Sequence, residues 1–521
     1  MPSRQPARPT PEQAQCSRGR RRTRAALVTA ATAVAAGLLL VPSAGAFKFD
    51  ATLYSYRTLP TSTPEKVRMV SKKSTAVPGK VFISAKRNTV NWQAGPTILD
   101  ENARIVWYKP FQDGGWAFNV RPQTYDGRPV VTWWQGKSLR GYGEGQGEIY
   151  DSAYRHVATV KAGHGRKMDF HELTITPQNT ALILAYQEQT DDLTKAPGGG
   201  PKKGLILNNY VQEVDIKTGK VLMEWNAGKD VPYSDSYNTV PQAREISYDW
   251  MHLNAVNLTK DGNIVVSSRG THAYYKINRK TGKVMWTMGG RSSDFKMGKG
   301  SRTVFQHDVH QLSKSYWSVY DNNGDRPPPA GSPKIHSRGV ILKVDEKRMT
   351  VELIQEFVHP KKILAISQGN MQSLASRHKF IGWGGDVQYM TEFDSKGKVV
   401  WDAALVSPGT DSFRAYKSPW VGTPANDPLI DAQTEADGKV SIAASWNGST
   451  ETARWRVLAG TSDADLQELG TFAWTGLETI GTYATTATRF KVEALDRAGK
   501  VLRTSAVESA HAAPAATTPA G

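Results

Sequence analysis

The chain has 521 residues, 39% of them hydrophobic, and a formal net charge of +18. That length suits one large domain plus a smaller one, and the composition excludes a globally disordered or fibrous protein. The single cysteine, Cys16, lies near the N-terminus, so the rest of the chain has no disulfide, thiolate nucleophile or cysteine metal site.

Residues 1–46 read as a signal peptide. Arg18, Arg20, Arg21, Arg22 and Arg24 precede an apolar run from Ala25 to Val41, and Ala44-Gly45-Ala46 has the small-x-small form of a cleavage site. The run is short and Ala-rich for a membrane span. The adjacent arginines suit twin-arginine export, but no Phe-Leu follows them, so Sec and Tat both stay open. Either route implies a secreted or cell-surface protein. The segment carries seven Arg and one Glu, so its removal leaves a formal charge of +12. Such a surface attracts anionic substrates or cell-surface polymers. No basic tract interleaved with aromatics argues for nucleic acid.

From residue 47 to about 425 the chain repeats itself. One unit reads apolar–Asp–x–x–x–Gly–x–apolar, often ending in Trp. It occurs at Leu99-Asp100 with Trp107, at Tyr150-Asp151, and at Val214-Asp215 with Gly219 and Trp225. It returns at Ile277-Asn278 with Gly282 and Trp286, at Val344-Asp345, and at Phe393-Asp394 with Gly397 and Trp401. Asp caps its own backbone and Gly reaches positive φ, so each copy predicts a strand, a tight turn and a strand. A second hairpin alternates with the first, as at Asp126-Gly127, Asp261-Gly262 and His378-Lys379. Two hairpins per period make a four-stranded blade. The expected fold is all-β, a six-bladed β-propeller. Residues 426–507 carry shorter alternating strands, including Val440–Ala443 and Arg454–Leu458, and predict a fibronectin-III-like β-sandwich. Residues 508–521, rich in Ala, Pro and Thr, read as a disordered tail.

Three histidines share one place in the repeat. His171 precedes Ala181 of the next strand by ten residues, His252 precedes Asn263 by eleven, and His307 precedes Trp317 by ten. In a propeller that place lies beside the central channel, where Asn119 and Asn370 hold the equivalent positions. Neutral imidazole is both a nucleophile and a proton shuttle, so this ring suits group transfer. His310 and Asn254 lie nearby. Arg269 and Arg338, aimed at the pocket, would neutralise sulfuryl or phosphoryl oxygens. Trp250, Tyr274 and Trp383 could offer a face to an aromatic ring. A metal held by the histidines is the other functional reading of the cluster. Asp321-Asn322-Asn323-Gly324-Asp325 reads as a plain turn rather than a calcium loop, because the Gly is misplaced and no distal Glu follows.

At these residues the sequence resembles the arylsulfotransferase family, in its exported bacterial and fungal branch. The resemblance is carried by Asp249-Trp250-Met251-His252-Leu253-Asn254, by Val266-Ser267-Ser268-Arg269, by Gly282-Lys283-Val284-Met285-Trp286, and by Phe305-Gln306-His307-Asp308. It implies a six-bladed propeller that moves a sulfuryl group from a small aryl sulfate to a phenol through a sulfated histidine, with no cofactor and no nucleotide donor. His252 and His307 resemble the family's pocket histidines, and Arg338 its sulfate-binding arginine. In two respects the sequence departs from the family. It lacks a disulfide. In addition, Gln368-Gly369-Asn370-Met371-Gln372-Ser373 stands where well-studied members carry a further histidine. Either His171, His252 or His307 has the nucleophile's role, or this branch does not catalyse the reaction. A non-catalytic propeller binding an extracellular ligand is therefore the rival expectation. A quinone-dependent dehydrogenase is a third, which six blades rather than eight oppose.

Overall fold

The computed structural model describes residues 53–87, 94–111, 115–324 and 335–513. The signal segment 1–46, the end of the turn at Asp325 and residues 514–521 lie outside the described residues. The regular secondary structure described is nearly all strand. Its helical elements are the four-residue helix Ala227–Asp230 and the 3-10 turns Tyr233–Asp235 and Ala375–Arg377.

Six antiparallel four-stranded units follow one another along the chain. Unit one is Lys80–Ile83, Thr97–Leu99 and Ile105–Tyr108, completed by Tyr416–Ser418 from far downstream. Units two and three are Trp116–Val160 and Lys167–Asn226, linked by a single bridge between Met168 and Gly145. Unit four runs from Leu253 to Gly289, unit five from His307 to Phe357, and unit six from Asn370 to Leu405. Val67–Lys72 adds an outer strand to unit six, pairing with Val399–Leu405. Unit one therefore takes its innermost strand from the C-terminal side, and unit six takes an outer strand from the N-terminal side.

The repeat seen in the sequence is the turn between the third and fourth strands of each unit. Asp100 Oδ1 accepts from the backbone N–H of Asn102 and Arg104, and Asp151 Oδ1 from Ala153 and Arg155. Asp394 does the same with Lys396 and Lys398, while Asp215, Asn278 and Asp345 cap their turns through N–H groups two or three residues on. Where a glycine follows, it supplies the left-handed residue, as at Gly219 with φ 71° and Gly397 with φ 80°.

Each unit packs its face on the next. Unit one meets unit two around Trp107 and Trp133, and unit two meets unit three around Trp134 and Phe170. Trp225 lies between units three and four, Trp286 and Trp317 between four and five, Trp383 between five and six. A further cluster, with Trp401, Phe380, Val81 and Leu99, joins unit six to unit one. A buried Trp at such a junction withdraws one of the largest apolar surfaces available from water.

Residues 429–512 form two more sheets, antiparallel except where His511–Ala512 joins Leu429–Thr434 in parallel. Their facing residues, including Ile442, Trp455, Val457, Phe490 and Val492, share one core. Residues 508–512, expected to open a disordered tail, are held by strand pairing instead. Glu508–Ser509 pairs with Arg489–Leu495, and His511–Ala512 pairs with Leu429–Thr434. His511 Nε2 also lies 2.8 Å from Asp431 Oδ1, which ties the end of the chain down.

Candidate active site: a histidine pocket at the inner strands

The inner strands of units two to five share an irregularity. Pairing slips between Phe118 and Arg121, Met168 and Leu173, Leu253 and Ala255, and His307 and His310. Left-handed backbone accompanies it at Asn119 (φ 56°), His252 (φ 49°) and Asp308 (φ 53°). Bulges re-aim side chains, and strained non-glycine residues persist where the surroundings hold them, often at functional sites.

The result is a convergence of histidines. The His171 ring centroid is 4.9 Å from that of His252 and 6.5 Å from that of His307. All three line one cavity of about 350 Å³. Arg269 and Lys86 also line it, Lys86 with its Nζ held 2.6 Å from the buried Asp411 Oδ1, and Trp116, Phe118, Phe170 and Phe413 form an aromatic wall. A larger cleft of about 720 Å³ lies between units two and three, but no histidine lines it. The converging imidazoles, rather than volume, mark the site.

The three imidazoles are not equivalent. His171 Nδ1 lies 2.5 Å from Asp169 Oδ1, which also accepts the backbone N–H of His171. Asp169 Oδ2 accepts from the Gly143 N–H at 2.8 Å. Burial holds His171 well below the usual imidazole range, and the neighbouring His252 and Arg414 add to the effect. Burial also pushes the Asp169 carboxyl up to about 7. His252 Nδ1 is bonded to Asp249 Oδ2. A carboxylate at Nδ1 fixes the tautomer with the proton there, leaving the Nε2 lone pair available. Among the described residues no hydrogen-bond partner stands at Nε2 of either ring.

His307 differs. Its Nδ1 faces two acceptors, Asn322 Oδ1 at 2.7 Å and Phe305 O at 3.0 Å, so Nδ1 carries the proton. Its Nε2 accepts the Gln368 backbone N–H at 3.1 Å. Both nitrogens are therefore in use. Burial, with His171 next to it, holds His307 well below the ordinary imidazole pKa.

Beneath the histidines lies Arg414, whose side chain is fully buried. Its guanidinium donates to Glu172 Oε2 at 2.9 Å, to the Asn254 backbone oxygen at 2.8 Å and to Tyr416 Oη at 3.2 Å, and stands 3.7 Å from Asp308. It thus connects the inner strands of units one, three, four and five. Arg414 and Arg121 hold the Glu172 carboxyl below its usual range against the opposing effect of burial.

Of the residues expected at the site, His171, His252, His307 and Arg269 come together. Arg338 does not join them. It opens the third strand of unit five, where its Nε donates to Asp321 at 2.9 Å, Nη1 to Glu356 at 3.0 Å and Nη2 to Gly300 O at 3.0 Å. Register puts Arg338 opposite Asp321, and this buried carboxylate takes the guanidinium. Trp250 and Tyr274 are core residues on either side of unit four, and Trp383 lies in the core between units five and six. Asn254 donates to the Gln306 backbone oxygen at 2.7 Å. His310 Nε2 is 3.0 Å from Asp308 Oδ1, beyond the slip. Asn370 clamps Ala415 with two backbone bonds, at 2.8 and 2.9 Å. From that stretch it is Gln368 that lines the pocket. The sequence reading missed Lys86, Gln368, Phe413 and Arg414, and it left Asp169 and Asp249 without roles. Spacing offered a signal for the aspartates only, each lying two or three residues before its histidine. Among the described residues no group of three or more His, Cys, Asp or Glu could hold a metal ion.

The site is thus a set of converging imidazoles over a buried arginine hub in a mostly-strand protein. The sequence model of the arylsulfotransferase (ASST) family matches residues 121–405, more than half of the chain, and the chain belongs to that family. No curated protein matches it. Among solved structures it is similar to a protein of unknown function from Bacteroides caccae, at 15% identity and TM-score 0.40, covering 66% of this chain and 99% of that one. It is also similar to a protein from Lactobacillus plantarum, at 9% identity and TM-score 0.34, covering 78% and 100%. Likeness at these scores carries no argument about fold or function.

Proposed function

We propose that this protein transfers a sulfuryl group from an aryl sulfate to a phenol, with His252 as the nucleophile, in a six-bladed propeller with a fibronectin-III-like module behind it. Six successive four-stranded units, six intervening cores and a first unit completed from the C-terminal side support the propeller. The observation that carries the enzymatic reading is His252. Its Nδ1 is held by Asp249 and its Nε2 has no partner among the described residues, in a cavity lined by Arg269 and four aromatic rings.

In the first half-reaction Nε2 of His252 attacks sulfur. The S–O bond to the aryl group breaks, and the phenolate leaves with its electron pair. The imidazole keeps its Nδ1 proton and gains positive charge, which Asp249 offsets. Arg269 stabilises charge on the sulfuryl oxygens. In the second half, an acceptor phenol gives its proton to Nε2 of His171 as its oxygen bonds to sulfur. The S–N bond breaks and the electron pair returns to His252. The His171 proton then goes to solvent or to the next leaving phenolate. The aromatic wall holds the rings, and His307 is a structural support.

The test is purified protein with a chromogenic aryl sulfate. Release of the chromophore that depends on added phenol, and is abolished in His252→Ala, is the expected result. Release that persists unchanged in His252→Ala overturns the assignment. The non-catalytic alternative draws on the stretch Gln368-Gly369-Asn370-Met371-Gln372-Ser373, which holds no histidine where the family resemblance implies a further one. It predicts aryl-sulfate binding without turnover, surviving His171→Ala and His252→Ala together. Export rests on residues 1–46 and predicts a secreted chain whose N-terminal sequence starts at Phe47.

A further inference from the structure

A second cavity, of about 730 Å³, adjoins the histidine pocket. Its walls come from the connection between units three and four, residues 237–249, and from the turn at residues 139–142. Exposed apolar side chains gather around it: Leu139 is 43% exposed, Tyr237 42% and Ile246 38%. Scattered apolar residues are ordinary on a surface, but several around one cavity mark a binding surface. The Tyr237 ring is held ready, stacked on His272 at 4.1 Å. Among the lining residues Glu188, Glu245 and Asp249 outnumber the cation Arg140, while the Arg291 guanidinium lies 4.3 Å from the Tyr237 ring centre at the rim. Asp249 Oδ1 is buried and has no hydrogen-bond partner among the described residues.

The two cavities share a wall. Asp249 lines the second cavity and bonds His252, which lines the first. Phe305 lines the second and lies 4.6 Å from the guanidinium of Arg269, which lines the first. The turn contributes Ser138 and Gly141 to the histidine pocket, and Leu139, Arg140 and Tyr142 to the other side. A Cβ at Gly141, whose φ is 84°, would stand 3.4 Å from His252 Cε1. That is ordinary contact distance, so it is the left-handed backbone of the turn, packed against His252, that calls for glycine.

We infer that the second cavity is an acceptor subsite, and that it selects phenols bearing an apolar spacer and a cationic amine. The phenolic oxygen reaches the histidines, the spacer covers Leu139, Tyr237 and Ile246, and the ammonium meets Glu188 and Glu245. The inference rests on the sulfuryl-transfer reading for its kinetic consequence, though not for binding itself. Exposed carboxylates attract a cation most strongly at low salt.

The experiment compares tyramine, N-acetyltyramine and unsubstituted phenol as acceptors, in wild type and in Glu188→Gln/Glu245→Gln, at low ionic strength. In wild type, kcat/KM for tyramine exceeds that for its acetylated form by about tenfold, through KM. The double variant removes that preference and leaves phenol unchanged. Equal kcat/KM for tyramine and N-acetyltyramine in wild type overturns the subsite, as does an equal loss for phenol in the variant. If wild type sulfates no phenol at all, the transfer reading has failed. The subsite is then judged by calorimetric titration with tyramine: binding that weakens in the double variant supports it, and absent or unchanged binding refutes it.

Discussion

Replacing Asp249 with alanine removes the carboxylate bonded to His252 Nδ1. The imidazole is then free to turn over or to place its proton on Nε2, and the charge opposite the sulfated ring is gone. A hydrogen bond to a charged group contributes about 1.5–3 kcal/mol. With each ~1.4 kcal/mol worth tenfold in rate, that is roughly 10- to 150-fold in kcat. The Asp249 side chain is 27% exposed, so solvent screening places the loss in the lower part, about 10- to 50-fold. KM for the aryl sulfate should move less than kcat, because the interaction strengthens as positive charge develops on the ring. The assay is steady-state turnover of a chromogenic aryl sulfate at saturating phenol, with a thermal melt to confirm folding. A fall in kcat of less than threefold in a folded variant refutes the role given to Asp249. A rise in KM with kcat unchanged does so as well.

Arg338→Ala should leave kcat within about threefold of wild type, since Arg338 binds Asp321 and Glu356 rather than the pocket; a hundredfold loss in turnover would restore it to the site. Arg414→Met leaves Glu172 and Asp308 buried with their central cation gone. Breaking such a pair costs about 3–5 kcal/mol, seen as a lowered denaturation midpoint, and an unchanged midpoint would show that the hub does not hold the inner strands. Acid should weaken the fold through the buried histidines. His171 and His307 sit well below 6.5 when folded, so below that pH the unfolded chain binds protons that the native chain refuses, and stability falls. Asp169, raised to about 7, takes up a proton in the native state and opposes part of this slope. Stability measured from pH 6.5 to 5 should therefore fall about 1.4 kcal/mol per pH unit more steeply in wild type than in His307→Gln, and parallel curves would contradict the buried neutral imidazole.

The repeat was legible because its chemistry is local. Asp100, Asp151, Asp215, Asn278, Asp345 and Asp394 cap turns through their own neighbours, so six copies could be counted without any tertiary information. The histidine register was legible for the same reason, since units three to five share one inner-strand plan. It misled at unit six. There Asn370 pairs with Gly382 without the slip seen in units two to five, so counting back from the following strand lands on a structural clamp instead of on Gln368. Lys86, Phe413 and Arg414 belong to segments outside the repeat: Ala85–Arg87 pairs with Thr410–Ser412, and Arg414 lies just beyond. Nothing local in those segments announces a meeting between residues more than 300 positions apart. Arg338 failed as a site residue because its partner, Asp321, is set by strand pairing.

The central claim is that a sulfuryl group rests on His252. Incubation with an aryl sulfate and no acceptor, followed by peptide mass spectrometry at neutral to alkaline pH, reads this directly. The account predicts a sulfuryl adduct on the peptide carrying His252, discharged when phenol is added and absent from His252→Ala. An adduct on His171 or His307, or phenol-dependent turnover with no adduct on any histidine, would contradict it.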